Sequence, residues 1–188
     1  MTGLDGDVTI RLATLDDVPA IEEVVQSAYR GEASREGWTT EADLLDGIRT
    51  DRATLAAAIA GPASLMLVAL DAPTSAGTVL ACCQLERRGD DVAYFGMFAV
   101  RPRLQGGRVG RRLLAAAEDH ASSQWSARTM EMTVIVQREE LIAWYVRRGY
   151  VRTQDTRPFP YGDLRFGRPR RDDLEFLVLR KQLRVAIG

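Results

Sequence analysis

The stretch that most constrains this chain runs from Val92 to Leu114 and reads VAYFGMFAVRPRLQGGRVGRRLL. An apolar strand breaks at Pro102, turns through glycines and enters a helix near Val109. Without side chains at Gly106, Gly107 and Gly110, the backbone can come close to a ligand and aim several amides at it. The start of a helix adds unpaired amides and a partial positive charge, which suits a phosphate or pyrophosphate. Arg108, Arg111 and Arg112 strengthen that preference. The plainer reading is a tight strand-to-helix connection with a solvated basic face.

Spacing excludes two phosphate-binding loops. A P-loop needs Lys and then Ser or Thr after its second glycine, whereas Arg111 and Arg112 follow Gly110. A dinucleotide fingerprint needs GxGxxG in a parallel βαβ unit with an acidic residue about 20 positions on, and these glycines lack that spacing.

The segment resembles the pyrophosphate loop of the GNAT superfamily of N-acetyltransferases, whose pattern is Gln or Arg, two residues, Gly, one residue, then Gly or Ala. Gln105 and Gly110 fit its ends, and Arg108 stands where the middle glycine is usual. A second stretch, VIVQREELIAWYVRRGY from Val134 to Tyr150, resembles the family's next strand and helix. These typically end in Tyr, three residues, Gly and an aromatic, here Tyr145, Gly149 and Tyr150. The family often has Asn seven residues before that tyrosine, a position held here by Arg138. The resemblance spans Val8 to Leu183 and implies an α/β (α+β) fold, a GNAT-like mixed central β-sheet of about seven strands with helices on both faces. It also implies acetyl-CoA as cosubstrate. The implied cofactor contacts are Phe98, Ala99, Val100, Gln105, Gly106, Gly107, Arg108, Val109, Gly110 and Arg111, with Arg138 in the place of the asparagine.

At 188 residues the chain reads as one domain, long enough for a sizeable core without staples. A net charge of -1 argues against a general nucleic-acid binder. No run of about 18 apolar residues suggests a membrane span, and MTGLDGDVTI lacks the basic-then-apolar order of a leader, so a cytoplasmic location is expected. Cys82 and Cys83 are adjacent in an apparent strand and point to opposite faces, poorly placed to pair and better read as packing. One histidine and two adjacent cysteines offer no zinc site.

The pattern predicts a strand over Val8 to Leu12, then a helix signalled at Thr14 whose Val18, Ile21, Val25 and Ala28 share one face. A second helical region is expected from Thr39 or Thr40 through Leu44, Leu45 and Ile48, and a short helix from Asp51 to Ala60. Strands follow at Leu65–Leu70, Val79–Glu86 and Val92–Val100, then a helix from Val109 to about Ser123. Strand Met130–Val136, helix Glu139–Arg148 and strands Tyr150–Thr153 and Leu174–Leu183 complete the order, with a long irregular stretch before the last. Loops of such length are often functional.

Acetyl transfer requires a neutral amine, a stabilised oxyanion and a proton for the leaving thiolate. The resemblance implies direct attack, with the strand before the glycine loop bonding the oxyanion and the pantetheine amides. Phe98 and Val100 are the expected contacts, and Gly96 marks a bulge there. Tyr145 is the candidate general acid, since a phenol with pKa about 10 keeps its proton at neutral pH; its alternative is packing beside Trp144. The strand lacks the family's usual glutamate, which leaves Glu86, Glu131 or a water chain as base. His120 reads as packing or a contact with a helix C-terminus.

Tyr29, Trp38 and Glu41 form an aromatic and acidic set suited to an amine. Arg157, Phe159 and Tyr161 in the late loop extend the set to an acceptor with a carboxylate. The leading expectation is an acetyl-CoA-dependent N-acetyltransferase acting on a primary amine of a small or amino-acid-like molecule. The alternatives are a non-catalytic acyl-CoA-binding module and an interaction domain using Arg165, Arg168, Arg170 and Arg171. A homodimer formed through the last strand stays open.

Overall fold

The computed structural model describes residues 8–71, 77–163 and 166–184, so Arg165 lies outside the described residues. Strand β1 (Thr9–Leu12) leads through a 3-10 turn (Leu15–Asp17) into helix α1 (Val18–Tyr29). That start is set locally: the Asp17 carboxylate accepts from the Thr14 amide at 2.8 Å and from the Arg11 guanidinium at 2.7 and 2.9 Å. Pro19 sits in the first turn, where a missing N–H leaves no bond unmade. Ile21, Val24, Val25 and Ala28 recur at helical spacing and are fully buried.

After the single turn α2 (Gly31–Ser34) come β2 (Leu45–Asp46) and α3 (Arg52–Ala60), the latter capped by Asp51, which accepts from the Thr54 amide at 2.7 Å. Strands β3 (Ser64–Leu70), β4 (Val79–Arg88) and β5 (Val92–Val100) precede helix α4 (Val109–Trp125). Strand β6 (Thr129–Ile135), helix α5 (Glu139–Val146) and strands β7 (Val151–Pro158), β8 (Arg168–Pro169) and β9 (Glu175–Gln182) follow.

Seven strands form one mixed sheet in the order β1-β3-β4-β5-β6-β9-β7, while β2 pairs with β8. Helices α1 and α3 cover one face over Met66, Val68 and Cys82. Helices α4 and α5 cover the other, over Leu67, Cys83, Phe95 and Met132. The adjacent cysteines therefore serve opposite cores.

Neighbouring strands run antiparallel except β5 and β6, whose parallel pairing covers only Val92, Ala93 and Tyr94 against Thr129, Met130 and Glu131. Beyond Tyr94 the two separate. A bulge in β5 contributes: the register with β4 shifts between Cys82 and Gln84, and Met97 adopts φ 46°, a conformation uncommon outside glycine. The bulge falls one residue after Gly96, the position that signals it in the sequence.

The expected helix around residues 39–48 is absent. Leu45 instead pairs with Pro169, Ile48 is 57% exposed, and Gly47 turns the chain at φ +90°, which no helix continues through. The last strand, β9, is paired on both sides, by β6 and β7, and the extended β7 forms the outer edge.

Candidate active site

The separation of β5 from β6 opens a recess with about 630 Å³ of empty volume, lined among others by Tyr29, Arg49, Arg138, Tyr145, Phe166 and Phe176. Strand alternation decides which backbone groups face it. The Arg101 amide donates to the Leu80 carbonyl on the β4 side, so Ala99 also faces β4, while Phe98 and Val100 face the gap. The Phe98 carbonyl accepts from the Tyr29 hydroxyl, and the Val100 carbonyl accepts from Gln105 Nε2 at 3.0 Å. Their amides point away from β4, and β6, whose pairing with β5 ends at Tyr94, bonds neither residue. They are the donors left to meet a ligand oxygen.

At one end of the gap lies the glycine loop. Gly106 alone in the loop takes a positive φ, +85°, whereas Arg108 has helical angles (φ -84°, ψ -19°) and an exposed side chain. The usual middle glycine is therefore not needed for this turn. The amides of Val109, Gly110 and Arg111 open helix α4 with no acceptor among the described residues. Gly107 tucks under the Leu104 carbonyl, 3.2 Å from where its Cβ would be. A Cβ on Gly110 would stand 3.1 Å from the Phe98 ring and 3.3 Å from Val100 Cγ2, so this glycine lets α4 lie close on β5. The Val109 side chain is buried in the core beneath.

Several loop residues do other work than the expected phosphate contact. Gln105 Oε1 accepts from the Thr39 amide at 3.1 Å while its Nε2 holds Val100, so the side chain ties the segment before Glu41 to β5. Arg112 donates to the Val8 carbonyl at 2.8 Å, anchoring the start of β1. Arg111 stays exposed beside Arg147 and Arg148. Burial lowers the pKa of the Arg148 guanidinium, and repulsion from Arg147 and Arg111 lowers it further. Its guanidinium lies 3.4 Å from the Trp144 ring centroid. Trp38, expected at the acceptor end, instead stands 6.5 Å from Trp144 and joins Gly106, Arg147 and Arg148 around a polar opening at the loop end.

Tyr145 lies at the recess with its ring edge-on to Phe95, Trp144 and Tyr150. Its hydroxyl has no hydrogen-bond partner among the described residues, and burial pushes its pKa well above the usual 10, so the proton stays on. Tyr150, by contrast, donates to Glu118 at 2.9 Å.

Arg138 is turned away from the glycine loop and into the recess. It donates to Glu41 Oε1 at 2.7 Å and to the Thr39 carbonyl, while Arg30 donates to Glu41 Oε2 at 2.6 Å. Burial alone would raise the pKa of the Glu41 carboxyl; Arg138, Arg49 and Arg30 overcome it and hold it below the ordinary range. Glu41 thus lines the recess with both oxygens engaged by guanidiniums, which corrects its expected role toward an amine. The Tyr29 ring packs against Arg49 and Arg138, whose guanidiniums lie 5.5 and 5.4 Å from its centroid.

The other expected residues lie outside the recess. Glu86 accepts from Gln84 at 2.9 Å and pairs with Arg88, with β5 between it and the gap. Glu131 is buried and bridged by Arg180 at 2.9 Å and Arg157 at 3.3 Å, so neither carboxylate is placed as a base and Arg157 is spent on Glu131. Phe159 is buried against Leu45, Ile135 and Leu174, and the Tyr161 hydroxyl accepts from the Leu174 amide at 2.7 Å. Both build the late loop itself. Burial pushes the Cys82 thiol up to about 12 and Cys83 well above 9, which removes them as nucleophiles at neutral pH. His120 packs edge-on against Trp125, and burial lowers its pKa.

Among the described residues no helix is long and apolar enough to cross a membrane, and no cluster of three His, Cys, Asp or Glu could hold a metal. Arg49, Phe166, Phe176, Arg147 and Arg148 belong to the site but escaped the sequence reading. Arg147 and Arg148 had a signal, lying between Tyr145 and Gly149; Arg49 had none, being a single arginine in a polar turn.

The comparisons agree with this geometry. No curated protein sequence matches the chain significantly. Among solved structures, the ribosomal-protein-S18-alanine N-acetyltransferase from Escherichia coli superposes with TM-score 0.67 at 20% identity, covering 96% of each chain. The PaiA N-acetyltransferase from Thermoplasma acidophilum, in complex with coenzyme A, gives TM-score 0.63 at 16% identity over 94% of this chain and 99% of that one. A spermidine N-acetyltransferase SpeG chimera from Vibrio cholerae and hSSAT gives 0.63 at 14%, over 93% and 95%. The family model for the acetyltransferase (GNAT) family matches residues 20–150, which include the glycine loop, both strands of the gap and Tyr145. This chain belongs to the GNAT family of acetyltransferases.

Proposed function

We propose that this protein is an acetyl-CoA-dependent N-acetyltransferase that acylates the primary amine of a small molecule. One observation carries the reading: two adjoining recesses that share Phe98 and Leu141 lead from the basic glycine loop, past the amides of Phe98 and Val100, to the unpartnered Tyr145 hydroxyl. The free amides of Val109, Gly110 and Arg111 receive the pyrophosphate, helped by Arg111, Arg147 and Arg148. The coenzyme A bound in the Thermoplasma acidophilum structure supports an acyl-CoA cosubstrate here.

The reaction needs no acyl-enzyme. The acceptor ammonium gives one proton to solvent, and its nitrogen attacks the thioester carbonyl carbon. The oxyanion that forms accepts from the strand amides. As the carbon–sulfur bond breaks, the thiolate takes the Tyr145 proton. The phenolate, disfavoured in its buried position, regains a proton from the nitrogen as the amide forms. The net products are the acetamide, the free thiol and one proton in solution.

The absence of a disengaged carboxylate in the described recess favours a second reading, a module that binds acyl-CoA without turning it over. Titration with acetyl-CoA followed by thiol release across an amine panel separates the two. Transfer predicts saturable binding and thiol release with at least one amine. Saturable binding without release sinks the enzymatic reading, and no binding sinks both. Tyr145→Phe is expected to keep the Kd for acetyl-CoA within about twofold and to lower kcat by about 100-fold. Unchanged kcat would return Tyr145 to a packing role.

A further inference from the structure

The acceptor end of the recess is organised around guanidiniums that exceed their carboxylate partner. Arg30, Arg49 and Arg138 surround Glu41, the single carboxylate among the described recess residues. Arg30 and Arg138 are engaged: the first with Glu41 and the carbonyls of Tyr29 and Phe166, the second with Glu41 and the Thr39 carbonyl. Arg49 differs. Its backbone amide is pinned by Gln26 Oε1 at 3.1 Å, its guanidinium lies over the Tyr29 ring, and no side chain or carbonyl among the described residues accepts from that guanidinium. A planar fork of five donors is thus held at the recess with its hydrogen-bonding capacity unused.

Tyr29 fixes where this fork stands relative to the chemistry. Its ring carries Arg49, and its hydroxyl meets the Phe98 carbonyl on the strand that faces the gap. The anion-binding donors and the reacting end of the recess are therefore one tyrosine side chain apart. Phe166 and Phe176 provide apolar wall nearby.

We infer that the acceptor is an amine that also bears a carboxylate, held by Arg49, and not a polyamine or simple alkylamine. Charge decides between these classes. A polyamine brings only positive charge to a site that already holds more guanidinium than carboxylate, and like charges disfavour it. A carboxylate on Arg49 offsets part of that excess and forms charge-assisted, bidentate hydrogen bonds. The remaining guanidinium charge also lowers the pKa of the acceptor's ammonium, favouring the neutral amine that attack requires. This compensates for the lack of a free carboxylate base. The inference rests on the acetyltransferase reading above and names its substrate class.

The test uses the full chain saturated with coenzyme A, titrated calorimetrically with matched probes: phenylalanine against phenethylamine, 4-aminobutyrate against butylamine, and spermidine. At least one amino acid is expected to bind about tenfold or more tightly than its decarboxylated partner, with spermidine weakest. Arg49→Gln, with folding checked by thermal melting, should weaken that amino acid about tenfold and bind the alkylamine no more weakly than the parent does. Arg49→Lys, which keeps the charge and loses the fork, should fall between. The inference is overturned if no amino acid is preferred, if spermidine binds as tightly, or if Arg49→Gln leaves the ratio intact. Thiol release with the same probes separates the two levels. Preference without transfer removes only the enzymatic reading, and transfer without preference removes only the anion site.

Discussion

Glu41 is charged in a place that by itself would favour the neutral form, and its ionisation depends on Arg138, Arg49 and Arg30. Its folded pKa is depressed, so its contribution to stability is present above the ordinary carboxyl value, about 4.3, and is lost as pH falls through the lower folded value. Asp17 has the same sign, first through its bond to Arg11. Urea midpoints should therefore fall progressively below about pH 5. Glu41→Gln should cost about 3 kcal/mol at pH 7, because it leaves two buried guanidiniums without a counter-charge, and should flatten part of the acid slope. A midpoint unchanged by the substitution would mean the cluster is neutral to stability. At this scale the sequence was uneven evidence. Tyr145 could be singled out because its partners in the pattern, Gly149 and Tyr150, are neighbours in the chain. The pairing of Glu41 with Arg138 joins residues 97 positions apart, and no local signal records it.

Among the elements, the glycine loop separates two reasons for lacking a side chain. Gly106 is bare for its backbone, at φ +85° with open space where a Cβ would be, whereas Gly110 is bare for packing against Phe98 and Val100. Gly106→Val should cost about 1–2 kcal/mol through left-handed strain and weaken acetyl-CoA binding by reshaping the turn. Gly110→Leu should weaken binding by lifting α4 from β5, with a shift in the near-ultraviolet circular dichroism of the aromatic cluster that Gly106→Val lacks. Equal spectra for the two variants would remove the distinction. Helices α1 and α3 were legible from signals at their boundaries, Thr14 to Asp17 before the first and Asp51 and Gly61 around the second, while α4 and α5 were legible as parts of the two motifs. The segment around Leu44, Leu45 and Ile48 has helical spacing too, but Gly47 and the pairing of β2 with β8 override it. Strand β7 runs well past Thr153, because its pairing with β9 supplies what its mostly exposed side chains do not signal.

Across the whole molecule, a net charge of -1 conceals an uneven distribution, with Arg111, Arg147 and Arg148 gathered at one end of the gap. Acetyl-CoA affinity should accordingly fall several-fold as salt rises from about 50 to about 500 mM, with the Debye length shrinking from about 14 to about 4 Å. Arg147→Gln combined with Arg148→Gln should lessen that dependence; a slope the double variant leaves unchanged would place the phosphates elsewhere. The overall architecture was legible through the two motifs, since they identify strands on both sides of the gap and the helices that follow them. The acceptor end was not, because its walls come from a polar turn, a late loop and the far ends of two strands that meet only in the fold. The short parallel pairing of β5 with β6 has a further consequence. A sheet that stops bonding halfway along two central strands contains an edge in its interior, of the kind that usually invites other proteins to add a strand. Here that edge lies inside the sheet, in a gap flanked by Tyr29, Arg138 and Tyr145. The fold thus keeps an unpaired stretch of strand between two bonded neighbours, away from the outer edges at β1 and β7 where chains ordinarily add.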